Sequence, residues 1–364
     1  MTPLARRLAE RIRRDGALSI ADYMSEALGD PDFGYYRKRD PFGAAGDFVT
    51  SPEISQIFGE LIGLWCAASW EQMGRPDPVI LAELGPGRGT LMADALRAIA
   101  VAADFRRALR LHLVETSPML RQAQATRLAA ADPTWHDSIA TLPAGPLILV
   151  ANEFLDALPL HQFVRDPSGW RERRVGLDED GELAFISNAP DATAMTALIP
   201  QALRDAAVGD IFETRPAAAS LARALGTALG IHPGIALFID YGHEASACGD
   251  TLQAVRRHRP EPVLAAPGET DLTAHVDFAA FADAAATAGA RVWGPVPQGA
   301  FLAALGIAER AEQLLRHATA AQIAALESAC RRLLDPGEMG TLFKVLALAH
   351  PSLSAPAGFA EGAS

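Results

Sequence analysis

The chain has 364 residues, 49% hydrophobic and 21% charged, which is enough apolar material for one large core or a core with a substantial insertion. A formal net charge of −12 argues against a general nucleic-acid binder, which needs a basic face to displace counterions. No stretch reaches the roughly 18 uninterrupted apolar residues of a membrane span, and Cys66, Cys248 and Cys330 are too scattered to form a metal site and suit a reducing compartment.

Arg6, Arg7, Arg11, Arg13 and Arg14 make the N-terminus basic. Glu10 and Asp15 interrupt that run and no small-residue cleavage site follows, so the segment reads as a retained helix of a cytoplasmic protein rather than a transit peptide. Leu4, Leu8 and Ile12, then Ile20, Tyr23, Met24, Ala27 and Leu28, recur at helical intervals, with Gly16 separating two helices. A glycine-rich loop over 29–46 follows. Thr50-Ser-Pro-Glu53 then reads as a capping box opening a helix whose apolar face carries Ile54, Ile57, Phe58, Leu61, Ile62 and Trp65. Residues 1–74 thus form an N-terminal helical segment.

From 75 to 349 strands alternate with helices: strand 79–84, helix 90–100, strand 109–115, helix 118–130, a short strand near 135–139, strand 147–151. Such alternation implies an α/β fold, a parallel sheet with helices on both faces. The rhythm changes over 155–233, where short strands at 160–165, 170–177 and 182–186 are joined by Asp-Pro-Ser-Gly and Asp-Glu-Asp-Gly turns. This stretch reads as a β-rich insertion, returning through helix 217–229 to an apolar strand at 235–239. Residues 242–275 have little periodicity and read as a long functional loop. A helix at 276–288, a short strand at 291–293 and two more helices lead to a final strand at 341–348. The tail, 350–364, is Pro, Ser, Ala and Gly with little apolar bulk and reads as disordered.

The most informative stretch is Val79-Ile-Leu-Ala-Glu-Leu-Gly-Pro-Gly-Arg-Gly-Thr90, followed by Leu111-His-Leu-Val-Glu115. A strand, a glycine turn, a helix, and a second strand ending in an acid build a nucleoside site: backbone passes close under the ligand and the acid accepts both ribose hydroxyls. A dinucleotide fingerprint wants glycine at its sixth position, where this chain has Thr90, so a nicotinamide dehydrogenase is disfavoured. Glu-x-Gly-x-Gly-x-Gly is the pattern of class I S-adenosylmethionine methyltransferases, whose last strand inserts antiparallel beside the fifth, an order this chain allows. Cofactor contacts are therefore expected from Glu83, Gly85, Pro86, Gly87, Gly89, Thr90, Leu91 and Glu115, with Ser117 capping the next helix.

Reading the strand ends in turn adds Asn152, Glu153 and Asp156 after strand four and Asp240 after strand five. Five carboxylates on one rim suit a cationic ligand, since like charges repel when desolvated. Asn152 and Glu153 are expected to hold the acceptor atom, Asn152 also facing the cofactor, with Asp156 and Asp240 behind them. The segment Gly46-Asp-Phe-Val-Thr-Ser51 is expected to act as a lid folding Asp47, Thr50 and Ser51 over the cofactor.

The chain resembles the MidA family of class I S-adenosylmethionine methyltransferases over roughly 20–348. The motifs that carry the resemblance are Phe33-Gly-Tyr-Tyr36, Gly46-Asp-Phe-Val-Thr-Ser-Pro-Glu-Ile54 with Phe58-Gly-Glu60, and Glu83-Leu-Gly-Pro-Gly-Arg-Gly-Thr-Leu91. Further on come Val114-Glu-Thr-Ser-Pro-Met-Leu120, Ala151-Asn-Glu-Phe-Leu-Asp-Ala-Leu-Pro159, Ile239-Asp-Tyr-Gly242 and Asp271-Leu-Thr-Ala-His-Val-Asp-Phe278. Gln298-Gly-Ala-Phe-Leu302 and Met339-Gly-Thr-Leu-Phe-Lys-Val345 complete the set. The resemblance implies a seven-stranded Rossmann-like sheet, S-adenosyl-L-methionine as cofactor, and symmetric dimethylation of an arginine on a respiratory complex I subunit. Two other readings keep the cofactor: a small-molecule methyltransferase, or a non-catalytic assembly factor that works by holding a partner. Oligomeric state is not legible.

Overall fold

The computed structural model describes residues 1–38, 50–187, 199–316 and 318–360. At its centre is a sheet whose first strand, β1 (Val79–Leu84), is buried along its whole length, as an apolar run covered on both faces must be. The other main strands are β2 (Leu109–Val114), β3 (Thr134–His136), β4 (Leu147–Asn152), β5 (Gly234–His243), β6 (Arg291–Pro297) and β7 (Phe343–Ala349). Their spatial order is β3-β2-β1-β4-β5-β7-β6. Pairing is parallel from β3 through β5, and β7 runs antiparallel between β5 and β6. The chain moves outward from β1 on one side and returns as β4 on the other, which opens a crevice at the carboxyl ends of these two strands. The α/β sheet with an antiparallel last strand expected from the chain order is therefore present. A two-residue strand, Val276–Asp277, adds to the end of β5.

Helices that frame the sheet among the described residues include α1 (Pro3–Asp15), α2 (Ile20–Gly29), α3 (Gln56–Gln72), α4 (Thr90–Ile99), α5 (Pro118–Arg127), α6 (Pro216–Ile231) and α7 (Phe278–Thr287). On one face α3 and α4 pack together in the larger core cluster. A Cβ on Gly63 would lie 2.4 Å from the carbonyl oxygen of Ala95, so only glycine permits this approach of α3 to α4. On the other face α6 and α7 cover β4 and β5, with Leu225, Leu229, Phe278 and Phe281 buried against Phe238 and Leu149. Each such side chain contributes about 1.5–3 kcal/mol by leaving water.

Residues of the 155–233 stretch form a separate antiparallel sheet from His161–Asp166, Gly169–Leu177, Leu183–Ser187 and Ile211–Thr214. Between α1 and α2 the chain adds an unexpected two-residue strand to this sheet, Leu18 opposite Val175 and Ser19 opposite Arg174. Leu8, Tyr23 and Met24 are buried with Leu160, Val175, Leu252 and Leu272, so the N-terminal helices are held by residues far along the chain.

Several expectations are corrected. Thr50 makes no side-chain cap, and Glu53 accepts from Thr90 Oγ1 at 2.5 Å; the long helix starts afresh at Gln56, where Ser55 Oγ accepts from the Ile57 amide. The 242–275 stretch is not a plain loop: Gln253–Arg256 pairs with Arg259–Glu261 and Asp271–Thr273. The helix expected from 276 begins at Phe278, capped by Asp277. Residues 350–360 of the tail are packed on the core, and 361–364 lie outside the described residues. Leu353 is buried, Trp65 Nε1 donates to Ala357 O at 3.0 Å, and Phe359 packs on Phe301 at 5.5 Å. Its few apolar groups suffice because α3 and the 298–304 helix offer a ready-made surface.

Candidate active site

The turn after β1 places Gly85, Gly87 and Gly89 at φ of +60°, +52° and +75°, a left-handed run that side chains resist. The Gly85 amide donates to Val114 O at 3.0 Å, tying the turn to β2. A Cβ on Gly85 would lie 2.9 Å from the Phe154 ring. Gly89 caps α4 from behind, so Gly85 and Gly87 face the crevice and Gly89 does not.

Glu115, one residue past β2, is buried beside this turn. Its Oε1 accepts from the Ser117 amide at 2.7 Å and its Oε2 from Gln124 Nε2 at 3.3 Å. Gln124 also donates to Gly87 O at 2.7 Å and is itself held by Trp135 Nε1 at 2.8 Å. One fully buried amide thus fixes the acid against the glycine turn. Sequence reading missed Gln124, although a polar residue in the apolar stripe Leu120, Gln124, Leu128 was a visible signal. Ser117 does not cap α5 with its side chain; its hydroxyl donates to Tyr36 O at 2.8 Å and stitches the N-terminal segment to β2.

At the end of β4, Glu153 sits at φ +50°, a conformation that strains a residue with a side chain and is characteristic of functional turns. Its Oε1 accepts from the Ser51 amide at 2.9 Å and from Asn152 Nδ2 at 3.0 Å. Burial pushes the Glu153 carboxyl up to about 7 despite these donors. Burial likewise lifts Glu83 to about 8, with the charge of Glu115 adding to it. Asp156 is raised by burial, against the opposing pull of the nearby Tyr241 hydroxyl and of Arg215. Arg215 is committed to carbonyls, donating to Leu158 O, Ala274 O and His275 O, and clamps the post-β4 turn to the 274–275 segment.

Asp240 is corrected from a catalytic to a supporting position. Its Oδ2 accepts from the amides of Phe154, Leu155 and Asp156 at 2.9–3.1 Å, and its Oδ1 from Tyr241 at 2.9 Å. It is 1% exposed and turned away from the crevice, holding the turn that aims Glu153 and Asp156. Burial pushes its carboxyl well up, aided by the charges of Asp156 and Glu153.

These groups surround one cavity of about 670 Å³, within the range of ligand pockets. Its wall holds Glu83, Gly85, Pro86, Gly87, Thr90 and Leu91 from the first motif, then Glu115, and Asn152, Glu153 and Asp156 from the fourth strand. Thr50 and Glu53 cover it from the N-terminal side, together with Tyr36 and with Arg37, which donates to Thr116 O. Ser51 contributes its amide, not its hydroxyl, and is not part of the wall. Asp47 lies outside the described residues.

Glu83, Asn152 and Asp156 each keep one buried side-chain oxygen with no hydrogen-bond partner. The unmet acceptors of Glu83 and Asn152, beside carboxyls held up by burial, call for a donor-rich cation. S-adenosyl-L-methionine fits, since it brings an ammonium, a sulfonium and two ribose hydroxyls. Glu115 would take the ribose, the glycine turn the backbone approach, and Glu83 and Asn152 the amino-acid end.

Residues 61–296 match a family described as S-adenosyl-L-methionine-dependent methyltransferases. Among curated proteins, the protein arginine methyltransferase NDUFAF7, mitochondrial, of Danio rerio is 37% identical over 94% of this chain and 85% of its own length. The human protein of that name is 36% identical over 96% and 83%. Among solved structures, a COG1565 superfamily member and likely methyl transferase from Burkholderia thailandensis bound to S-adenosyl-homocysteine superposes with a TM-score of 0.85 at 29% identity, covering 98% of this chain and 93% of that one. The expectation of a cytoplasmic protein is overturned by these relatives, which are named mitochondrial; the interrupted N-terminal arginine run was too thin a ground for it.

Proposed function

The chain belongs to the S-adenosyl-L-methionine-dependent methyltransferase family matched by residues 61–296, the same family its MidA-like motifs resemble, and from that premise we propose that it methylates an arginine side chain of a protein. The observation that carries this reading is Glu153, a strained, half-buried carboxylate in the cavity wall with a pKa of about 7. The arginine-methyltransferase names of the relatives support it.

A guanidinium stays protonated at neutral pH, so one of its nitrogens becomes nucleophilic only when a carboxylate localises the positive charge elsewhere and then accepts a proton. When bound, the cofactor would supply a methyl on a positively charged sulfur, whose transfer to nitrogen would leave a neutral thioether and one proton for the protein to take. Glu153 orients the guanidinium through its carboxylate oxygens and takes that proton, with a pKa close to the working pH as general base catalysis requires. Asn152 Nδ2 and the Ser51 amide lock the carboxylate through Oε1, which fixes its direction. Asp240 supports the turn, and Thr50, Glu53 and Tyr36 shield the site from water.

The acceptor protein is proposed to be a respiratory complex I subunit, the partner that the motif resemblance implies. The test is incubation of the protein with isotopically labelled cofactor in an extract from cells that lack it, followed by mass spectrometry. Label is expected as dimethylarginine in a complex I subunit. Label confined to small molecules would overturn the proposal.

A further inference from the structure

Beside Glu153 the cavity has a second acidic wall that the steps above leave idle. Tyr36 and Asp271, far apart in sequence, meet there: the Tyr36 hydroxyl donates to Asp271 Oδ1 at 2.8 Å. The Tyr241 phenol lies against the Asp156 carboxyl on the same wall. The chain just after Asp271 is tied to the turn carrying Asp156, since the Ala274 amide donates to Asp156 O at 3.1 Å. All four side chains line the cavity. Asp156 is 5% exposed and its Oδ1 has no partner. Asp271 is equally buried. A buried, unmet carboxylate oxygen in a cavity wall asks for a donor from a ligand.

We propose that Asp156 and Asp271, framed by the rings of Tyr36 and Tyr241, seat the guanidinium nitrogens that are not methylated, and that this wall selects arginine over lysine. It rests on the arginine reading above. A guanidinium is a planar fork with five donors, so it can address Glu153 and this wall together, and it stacks on aromatic faces. A lysine ammonium concentrates three donors at one point and cannot bridge both. The Tyr36 hydroxyl covers Asp271 Oδ1 and so fixes which way that carboxylate faces. Two stretches singled out by sequence, 33–36 and 271–278, thereby acquire a shared purpose.

The test uses two synthetic probes in which the 5′ carbon of adenosine carries either an alkylguanidine or an alkylamine of equal length. Both are cations, so general attraction to an acidic cavity cancels. In the native protein the guanidine probe is expected to bind at least about tenfold tighter, the size of one charge-assisted hydrogen bond. Asp271→Asn keeps an oxygen for Tyr36 and Asp156→Asn keeps the side-chain shape, and each is expected to shrink the preference to threefold or less with S-adenosylhomocysteine affinity unchanged. Tyr36→Phe, which keeps the ring, is expected to lose part of it. A preference that survives all three substitutions places the guanidinium elsewhere and overturns this inference. So does equal affinity in the native protein; the labelling experiment then decides whether the arginine reading falls with it.

Discussion

The two halves of the cavity are built in opposite ways. The cofactor half comes from one contiguous stretch, β1, its glycine turn and α4, joined to the very next strand through Glu115, Gln124 and Gly87 O. The acceptor half is gathered from remote places: Ser51 on Glu153, Tyr36 on Asp271, Arg215 on the 274–275 carbonyls. A cofactor common to a whole fold can be held by a local motif. An acceptor particular to one family needs contributions from a lid, an insertion and a late loop. The difference also separates binding from turnover, because damage to one half should spare the other.

The sharpest break is Glu153→Gln, which keeps the shape and both donors to position 153. Turnover should drop by about 10²–10⁴-fold, the usual contribution of a general base, while S-adenosylhomocysteine affinity measured by calorimetry stays within threefold. Gly87→Val should do the reverse. A β-branched residue resists φ of +52° and its side chain enters the crevice, so cofactor affinity should fall by at least about 100-fold, roughly 2.7 kcal/mol. Glu115→Ala removes the ribose acceptor and should weaken binding by about tenfold, the size of a lost hydrogen bond to a charged group.

The smallest effect concerns pH. Glu83 and Glu153 are raised from the ordinary 4.5 to about 8 and about 7. Between 4.5 and those values the folded protein keeps protons that the unfolded chain has released, so cofactor-free stability falls as pH rises through that window. Thermal melting should drop by a few degrees from pH 5 to 8, and by less in Glu83→Gln. A melting point that rises over this range would contradict the burial of these acids.

The same contrast governs what could be read before the fold was seen. β1, the glycine turn and Glu115 were legible because strand, turn and helix are neighbours in sequence and each leaves its own pattern. Asp240 was expected just past the fifth strand and was given the acceptor; it lies within β5 and holds the turn after β4. Whether such a side chain meets ligand or backbone depends on how the turn after β4 is wound, and Glu153 at φ +50° winds it onto Asp240. The capping box also failed: its spacing is right, but Glu53 accepts from Thr90, 37 residues away. Short pairings such as Gln253–Arg256 with Asp271–Thr273 leave no periodicity to detect. The packed stretch 350–360 depends on a surface that exists only once α3 has packed.

A crystal structure of the protein with S-adenosylhomocysteine tests the central claim most directly. The ribose hydroxyls should lie on the Glu115 carboxylate, the nucleoside over the turn at Gly85 and Gly87, and the sulfur directed toward Asn152 and Glu153. A nucleoside bound away from Glu115, or a sulfur facing away from the end of β4, would contradict the account.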